Sequence, residues 1–151
     1  MIKIICVGKL KEKYWQQATD EYLKRLSKYN KIELIEVSDS KIDNLAIALK
    51  QEKDLILNKI SSRDYLVALA IEGEMLTSKE LATKIEKLNI HESNLCFIIG
   101  GSNGIHEDIL KRCSLKLSFS KLTFPHQMFR VMFLEQLYRA YKINNNESYH
   151  K

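Results

Sequence analysis

Two groups of residues in this sequence could carry chemistry: glycines gathered at the ends of apolar runs, and four histidines. The glycines are Gly8, Gly73, Gly100, Gly101 and Gly104. Ile98-Ile99-Gly100-Gly101-Ser102-Asn103-Gly104 leads an apolar run into a loop without side-chain bulk. Backbone amides and carbonyls there can approach a flat ligand closely, although a tight turn needing positive φ produces the same pattern. No Gly-Lys-Ser/Thr follows and no GxGxxG occurs, so the loop is neither a phosphate loop nor a dinucleotide fingerprint. The histidines stand at 91, 106, 126 and 150 without metal-ligand spacing, which predicts no metal site. Imidazole suits proton transfer near neutral pH. His91 reads as a solvated loop residue and His106 as one that could start a helix. His126 and His150 stand among polar and aromatic residues, in Thr123-Phe124-Pro125-His126-Gln127 and Ser148-Tyr149-His150-Lys151. Position alone leaves both a structural and a proton-transferring role open for these two.

The segment from Pro125 to about Lys142 sets Arg130 and Arg139 among Met128, Phe129, Met132, Phe133, Leu137 and Tyr141. Apolar residues run almost all the way round, so this helix is expected in a core or at a subunit interface, and a homodimer is expected.

These groups need a scaffold. Five β-rich runs are expected at Ile2–Val7, Ile32–Val37, Tyr65–Ile71, Asn94–Ile99 and Leu115–Phe119. Several are nearly continuous apolar runs, as strands covered on both faces are. Helical patterns alternate with them. Trp15, Ala18, Tyr22, Leu26 and Tyr29 form one stripe. A second helix is expected over about 41–60, with Leu45, Leu49, Ile56 and Ile60 inward. A third opens on the capping-box pattern Thr77-Ser78-Lys79-Glu80 and buries Leu81, Ile85 and Leu88. A short fourth follows Gly104, and the last has Pro125 near its first turn. Strand–helix alternation predicts a single α/β domain around a mostly parallel sheet of five to six strands. A phospho-receiver domain is excluded: the first strand ends in Gly8-Lys9 rather than an acidic pair, and no aspartate closes the third.

The 151 residues suffice for one core, and 45% apolar with 28% charged residues excludes disorder. The apolar opening is too short for a secretory signal, and no run reaches membrane-spanning length. Three cysteines without metal spacing read as reduced thiols, so a cytoplasmic protein is expected. The net charge of +5 is unevenly spread. Residues 1–31 carry eight Lys/Arg against three Asp/Glu, and residues 113–151 carry six against two, around an acidic middle. Ends brought together would make a positive face fit for nucleic acid, but solvated lysine-rich helices give the same numbers.

Gly100-Gly101-Ser102-Asn103-Gly104, Leu117-Ser118-Phe119-Ser120-Lys121-Leu122-Thr123-Phe124-Pro125-His126-Gln127, Arg130, Leu134-Glu135-Gln136-Leu137-Tyr138-Arg139-Ala140 and Tyr149-His150-Lys151 together resemble the RlmH (YbeA) family. Val7-Gly8-Lys9-Leu10-Lys11 and Tyr22-Leu23-Lys24-Arg25-Leu26 are similar to its N-terminus. The similarity spans the whole chain in order. The resemblance implies a SPOUT-class α/β-knot methyltransferase with a C-terminal trefoil knot. It also implies a homodimer that uses S-adenosylmethionine to methylate N3 of a pseudouridine in 23S ribosomal RNA within the ribosome.

By matching position, the resemblance assigns the cofactor to Leu69, Gly100 and the run Phe119, Ser120, Lys121, Leu122, Thr123 and Phe124. Ala70 stands where the family often has an acidic residue. Asn144-Asn145-Asn146 and Ser148 replace positions that more often hold glycine and proline. For the implied reaction, His126 and His150 are the candidates for taking the N3 proton. Arg130 and Arg139 could hold phosphate or favour the anionic base, their bland role being an ion pair with Glu135. Tyr149 and His150 are expected to orient the target base, with the tail folded over a cofactor pocket, that of the partner subunit included. The basic segment Lys9 to Lys31 is expected on RNA phosphates. Two rivals remain: a non-catalytic ribosome-binding factor, and a small-molecule methyltransferase on the same fold.

Overall fold

Along β1 (Ile2–Val7), Ile2, Ile4 and Cys6 point to one face and Ile5 and Val7 to the other, and both sets are sealed from solvent. A strand apolar on both sides must be central and covered twice. The computed structural model describes residues 1–151 and shows this arrangement. The chain continues through α1 (Lys13–Leu26), β2 (Ile32–Val37), α2 (Leu45–Leu57), β3 (Asp64–Met75), α3 (Ser78–His91), β4 (Asn94–Ile99), α4 (Glu107–Arg112), β5 (Leu115–Ser118) and α5 (His126–Asn144). The strands form one sheet of order β2-β1-β4-β3-β5, and every pairing is parallel.

The two faces carry separate cores. On one, Phe97, Leu95, Val67 and Leu117 meet α1, α3 and α5 through Leu26, Leu81, Ile85, Phe133 and Leu137. On the other, Ile5, Val7, Cys96 and Ile98 meet α2 and α4 through Ile56 and Ile109. Each fully buried Ile, Leu or Phe contributes roughly 1.5–3 kcal/mol. Thr77 caps α3 as the spacing predicts: its hydroxyl accepts from Glu80 N, and Glu80 accepts from Thr77 N.

Three expectations need correction. α2 buries Ala48, Glu52 and Ile56, while Leu45 is 56% exposed, so the inward line is shifted and contains a carboxylate. β3 runs past Ile71 to Met75. Pro125 precedes α5 as its N-cap instead of lying inside the first turn. The reason in each case is tertiary: local apolar spacing does not say which neighbour covers a residue.

Candidate functional site

The glycine loop closes on itself at the carboxyl end of β4. Gly104 N donates to Gly101 O at 3.0 Å, and Gly104 takes a φ of 79°. A Cβ on Gly100 would lie 2.5 Å from Gly104 O, and one on Gly101 would lie 3.0 Å from Val7 Cγ1. Glycine at 100 is therefore demanded by the loop's own closure, a different reason from the close ligand approach expected above.

Opposite this loop, β3 leaves its ladder with β5. Leu69 pairs with Leu117, and the next paired residue is Glu74, against Leu117 again. Residues 70–72 bulge out, and Gly73 returns the strand flush to β5, where a Cβ would meet Leu117 backbone at 2.6 Å. The segment from β5 to α5 forms the third wall. Ser118 Oγ donates to Ser120 O at 3.0 Å, and Leu122 N donates to Ser120 Oγ at 3.0 Å, folding a tight turn. Phe119 meets Phe129 edge-on with ring centroids 5.0 Å apart, and Phe124 stacks on Phe129 at 6.5 Å.

These walls enclose a cavity of about 410 Å³ lined by Leu69, Ala70, Ile71, Glu72, Gly100, Ile105, Thr123, Phe124, His126 and Phe129, among others. A smaller recess of about 160 Å³ adjoins it through Leu69, Thr123 and Phe124 and adds Phe119, Ser120 and Leu122. The sequence-predicted cofactor residues thus meet in one place, except Lys121, which is exposed and lines neither recess. Of the predicted catalytic residues, His126 alone lies on these walls. Glu72, the sole carboxylate of the larger recess, and Phe129 are not among the site residues predicted from sequence; the Glu72-Gly73 pair at a strand end is the signal that points to the first. A separate cavity of about 510 Å³ lies between α3, β5 and the outer side of α5, lined in part by Tyr22, Leu76, Val131, Met132 and Glu135.

Arg130 does not present a phosphate-binding group. It is 1% exposed, its Nη1 pairs with Glu36 Oε2 at 2.6 Å, and its Nη2 donates to Gly8 O at 2.8 Å. Glu36 Oε2 also accepts from Leu10 N at 3.1 Å, and Lys11 N donates to Gln127 Oε1 at 3.2 Å. Arg130 therefore fastens the turn after β1 to α5. Gly8, at φ 94°, permits that turn and lets the His126 ring sit against it; a Cβ would come 3.2 Å from His126 Nε2.

The tail gathers elsewhere. Arg139 pairs with Glu135, the bland alternative named for it, and its guanidinium lies 4.8 Å from the Tyr149 ring centroid. Tyr149 Oη donates to Glu135 Oε1 at 3.0 Å. Burial, then the bond to Glu135, hold the Tyr149 phenol well above its usual range, so it remains a neutral O–H donor. Nη1 of Arg139 stands 3.1 Å from His150 Nδ1. Guanidinium cannot accept, so Nδ1 accepts and a neutral His150 carries its proton on Nε2. His106, by contrast, accepts from Asp108 N at 2.9 Å and starts α4.

Residues 1–150 match the family model described as "Predicted SPOUT methyltransferase". The chain belongs to the SPOUT methyltransferase family. It is 50% identical to the ribosomal RNA large subunit methyltransferase H of Clostridioides difficile (strain 630), with 99% of both chains covered. The proteins of that name from Clostridium botulinum (strain Alaska E43 / Type E3) and Bifidobacterium animalis subsp. lactis (strain AD011) are 51% and 50% identical over the same 99% of both chains. A solved structure titled as a probable methylase family protein from Haemophilus influenzae Rd KW20 shares the fold, with a TM-score of 0.56 at 16% identity, covering 99% of this chain and 70% of that one. In this SPOUT chain the recess lies beyond the carboxyl ends of parallel strands, where open α/β sheets take their ligands. No helix is long and apolar enough to cross a membrane.

Proposed function

We propose that this SPOUT protein methylates large-subunit ribosomal RNA at N3 of a pseudouridine, using S-adenosylmethionine and acting as a homodimer on the ribosome. The observation that carries the reading is the convergence of Leu69, Gly100 and the 119–124 turn on one recess with His126 on its wall. The full-length similarity to proteins named ribosomal RNA large subunit methyltransferase H supports the substrate class.

The residues fit such a donor. A volume of about 410 Å³ is in the range of small-ligand pockets. Leu69, Ile105, Phe124 and Phe129 offer apolar walls for a purine, the glycine loop offers backbone groups, and Glu72 offers a negative charge to a cationic ligand. When bound, the donor supplies an electrophilic methyl group on a sulfonium. The chain's own part is to align N3 with that methyl and to take one proton. His126 stands at the recess and is the candidate acceptor. His150, with Nδ1 held by Arg139, offers an Nε2–H and is suited to donate to a carbonyl of the base.

Two observations support the dimer. Residues 126 and 139 lie thirteen positions apart on α5, about 20 Å along its axis, so the tail does not cover the recess of its own chain. Val131 and Met132 of α5 remain half-buried, and Leu122, Ile71 and Met75 are exposed by 71%, 52% and 55%. A second copy laid on this side would cover them and bring its tail to the recess.

The test is mass spectrometry of large-subunit RNA from cells lacking the protein, with methyl transfer from labelled donor to ribosomes in vitro. A pseudouridine that keeps its methyl group in those cells sinks the reading. Donor binding distinguishes it from a non-catalytic ribosome-binding factor, and dependence on ribosomal RNA from a small-molecule methyltransferase.

A further inference from the structure

Two carboxylates of this chain are sealed from solvent. Asp64 pairs with Lys3 at 2.7 Å, but Glu52, 2% exposed, has no cationic partner. Its neighbours on the buried line of α2 are Ala48 and Ile56, and its Oε2 is buried without a partner, so the carboxylate stands where an apolar side chain would be expected. What the carboxylate supplies is an acceptor. Glu52 Oε1 takes hydrogen bonds from Ser40 N at 3.0 Å and from Asn103 Nδ2 at 3.3 Å. Asn103 lies inside the glycine loop, between the bridged Gly101 and Gly104. The next residue of α2, Lys53, reaches Asp108 Oδ2 on α4 at 3.3 Å, so α2 holds both the loop and the helix that follows it.

We propose that Glu52 is a positioning residue for the donor site: through Asn103 it holds the glycine loop in the shape that closes the recess. The loop has no side-chain mass of its own at 100, 101 and 104, and its internal bridge fixes its curvature but not its place over the sheet. Glu52 supplies that placement from the face opposite α5, touching no ligand. The proposal rests on the reading of the recess as the donor site.

The test compares Glu52→Leu, Glu52→Gln, Asn103→Ala and the Glu52→Leu/Asn103→Ala pair in the full chain. S-adenosylmethionine affinity is measured by calorimetry and loop protection by amide hydrogen exchange over residues 100–105. Glu52→Leu and Asn103→Ala should each weaken donor binding about tenfold and speed exchange of the loop. The pair should be no worse than either alone. Glu52→Gln, which keeps an acceptor, should recover most of the affinity. Asn103→Ala alters only a loop side chain, so it decides the matter even where Glu52→Leu fails to fold. Additive losses, or unchanged exchange and affinity in Asn103→Ala, overturn the proposal. If the wild-type chain binds no donor, the reading of the recess fails instead, and loop exchange in the variants still decides whether Glu52 holds the loop.

Discussion

His150 Nδ1 faces Nη1 of Arg139 at 3.1 Å, across from the Glu135 carboxylate that the same guanidinium grips. The tail is thereby ordered along the outer side of its own α5, far from its own recess. Deleting residues 149–151 removes the edge-on contact with Tyr138, 4.9 Å between centroids, the hydrogen bond to Glu135, and the contacts of Arg139 with the Tyr149 ring and with His150. We expect a stability loss of about 1–2 kcal/mol, unchanged donor binding, and loss of methyl transfer in single-turnover assays on ribosomes. Mixing this chain with one that carries His126→Ala should restore activity, because in the proposed dimer one recess of a mixed pair would have both groups. A truncated chain that methylates at the full rate removes the tail from the mechanism.

Arg130 should behave as a structural cation. Arg130→Ala leaves Glu36 and the Gly8 carbonyl without their partner inside the fold, and should cost about 3 kcal/mol in urea unfolding. Glu36→Gln keeps an oxygen acceptor for Nη1 but takes the counter-charge from a guanidinium 1% exposed, so it should destabilise less than Arg130→Ala. Equal losses in the two variants would contradict the burial argument.

Two glycines of one loop should respond in opposite ways. Gly100→Ala must displace the Gly104 carbonyl, so donor affinity should fall by at least about tenfold. Gly104 has open space around a Cβ and needs only a left-handed backbone. Gly104→Asn should therefore be tolerated within about 1 kcal/mol. Calorimetric affinities and urea midpoints of both variants check this; equal effects would refute it.

Burial pushes the Cys6 and Cys96 thiols up to about 12 from an ordinary 9.0. The unfolded chain releases these protons from about pH 9, while the folded chain keeps them to about pH 12. A pKa raised by folding gives stability that is complete below the unfolded value and is lost as pH rises. Urea midpoints should therefore fall between pH 9 and 12, and less steeply in Cys6→Ala/Cys96→Ala. At pH 8 both thiols should resist alkylation in the folded protein; labelling at the rate of a free thiol would show the burial to be wrong.

Lys9, Lys11 and Lys13 are exposed just beyond β1, on the same sheet end as the recess. Charge reversal at Lys11 and Lys13 should weaken ribosome association and lower its log–log salt slope by roughly two. A flat salt response in the wild-type protein would rule out phosphate contact by this segment.

Much of the scaffold was legible because the relevant physics is local. β1 and β4 carry apolar residues on both faces, which specifies central strands whatever surrounds them, whereas Glu33 and Glu36 suit β2 to the sheet edge it occupies. The Thr77–Glu80 capping box works within four residues, so its spacing alone located α3. The recess was legible through the glycine loop and the 119–124 run, each contiguous in sequence.

Other features depended on the tertiary structure, because they join residues far apart in the chain. Whether Arg130 met phosphate or Glu36 depended on β2 lying beside β1, ninety-four positions from the helix that carries the arginine. The shift of the buried line of α2 onto Glu52 depended on the Ser40 and Asn103 segments meeting over that helix. The sequence offered a close ligand approach or a tight turn for the glycine loop; only its folded path put the positive φ at Gly104 and Gly104 O where a Cβ on Gly100 would stand. Side-chain type and spacing determine which elements form; partners for buried charge and room for each Cβ exist only once those elements are assembled.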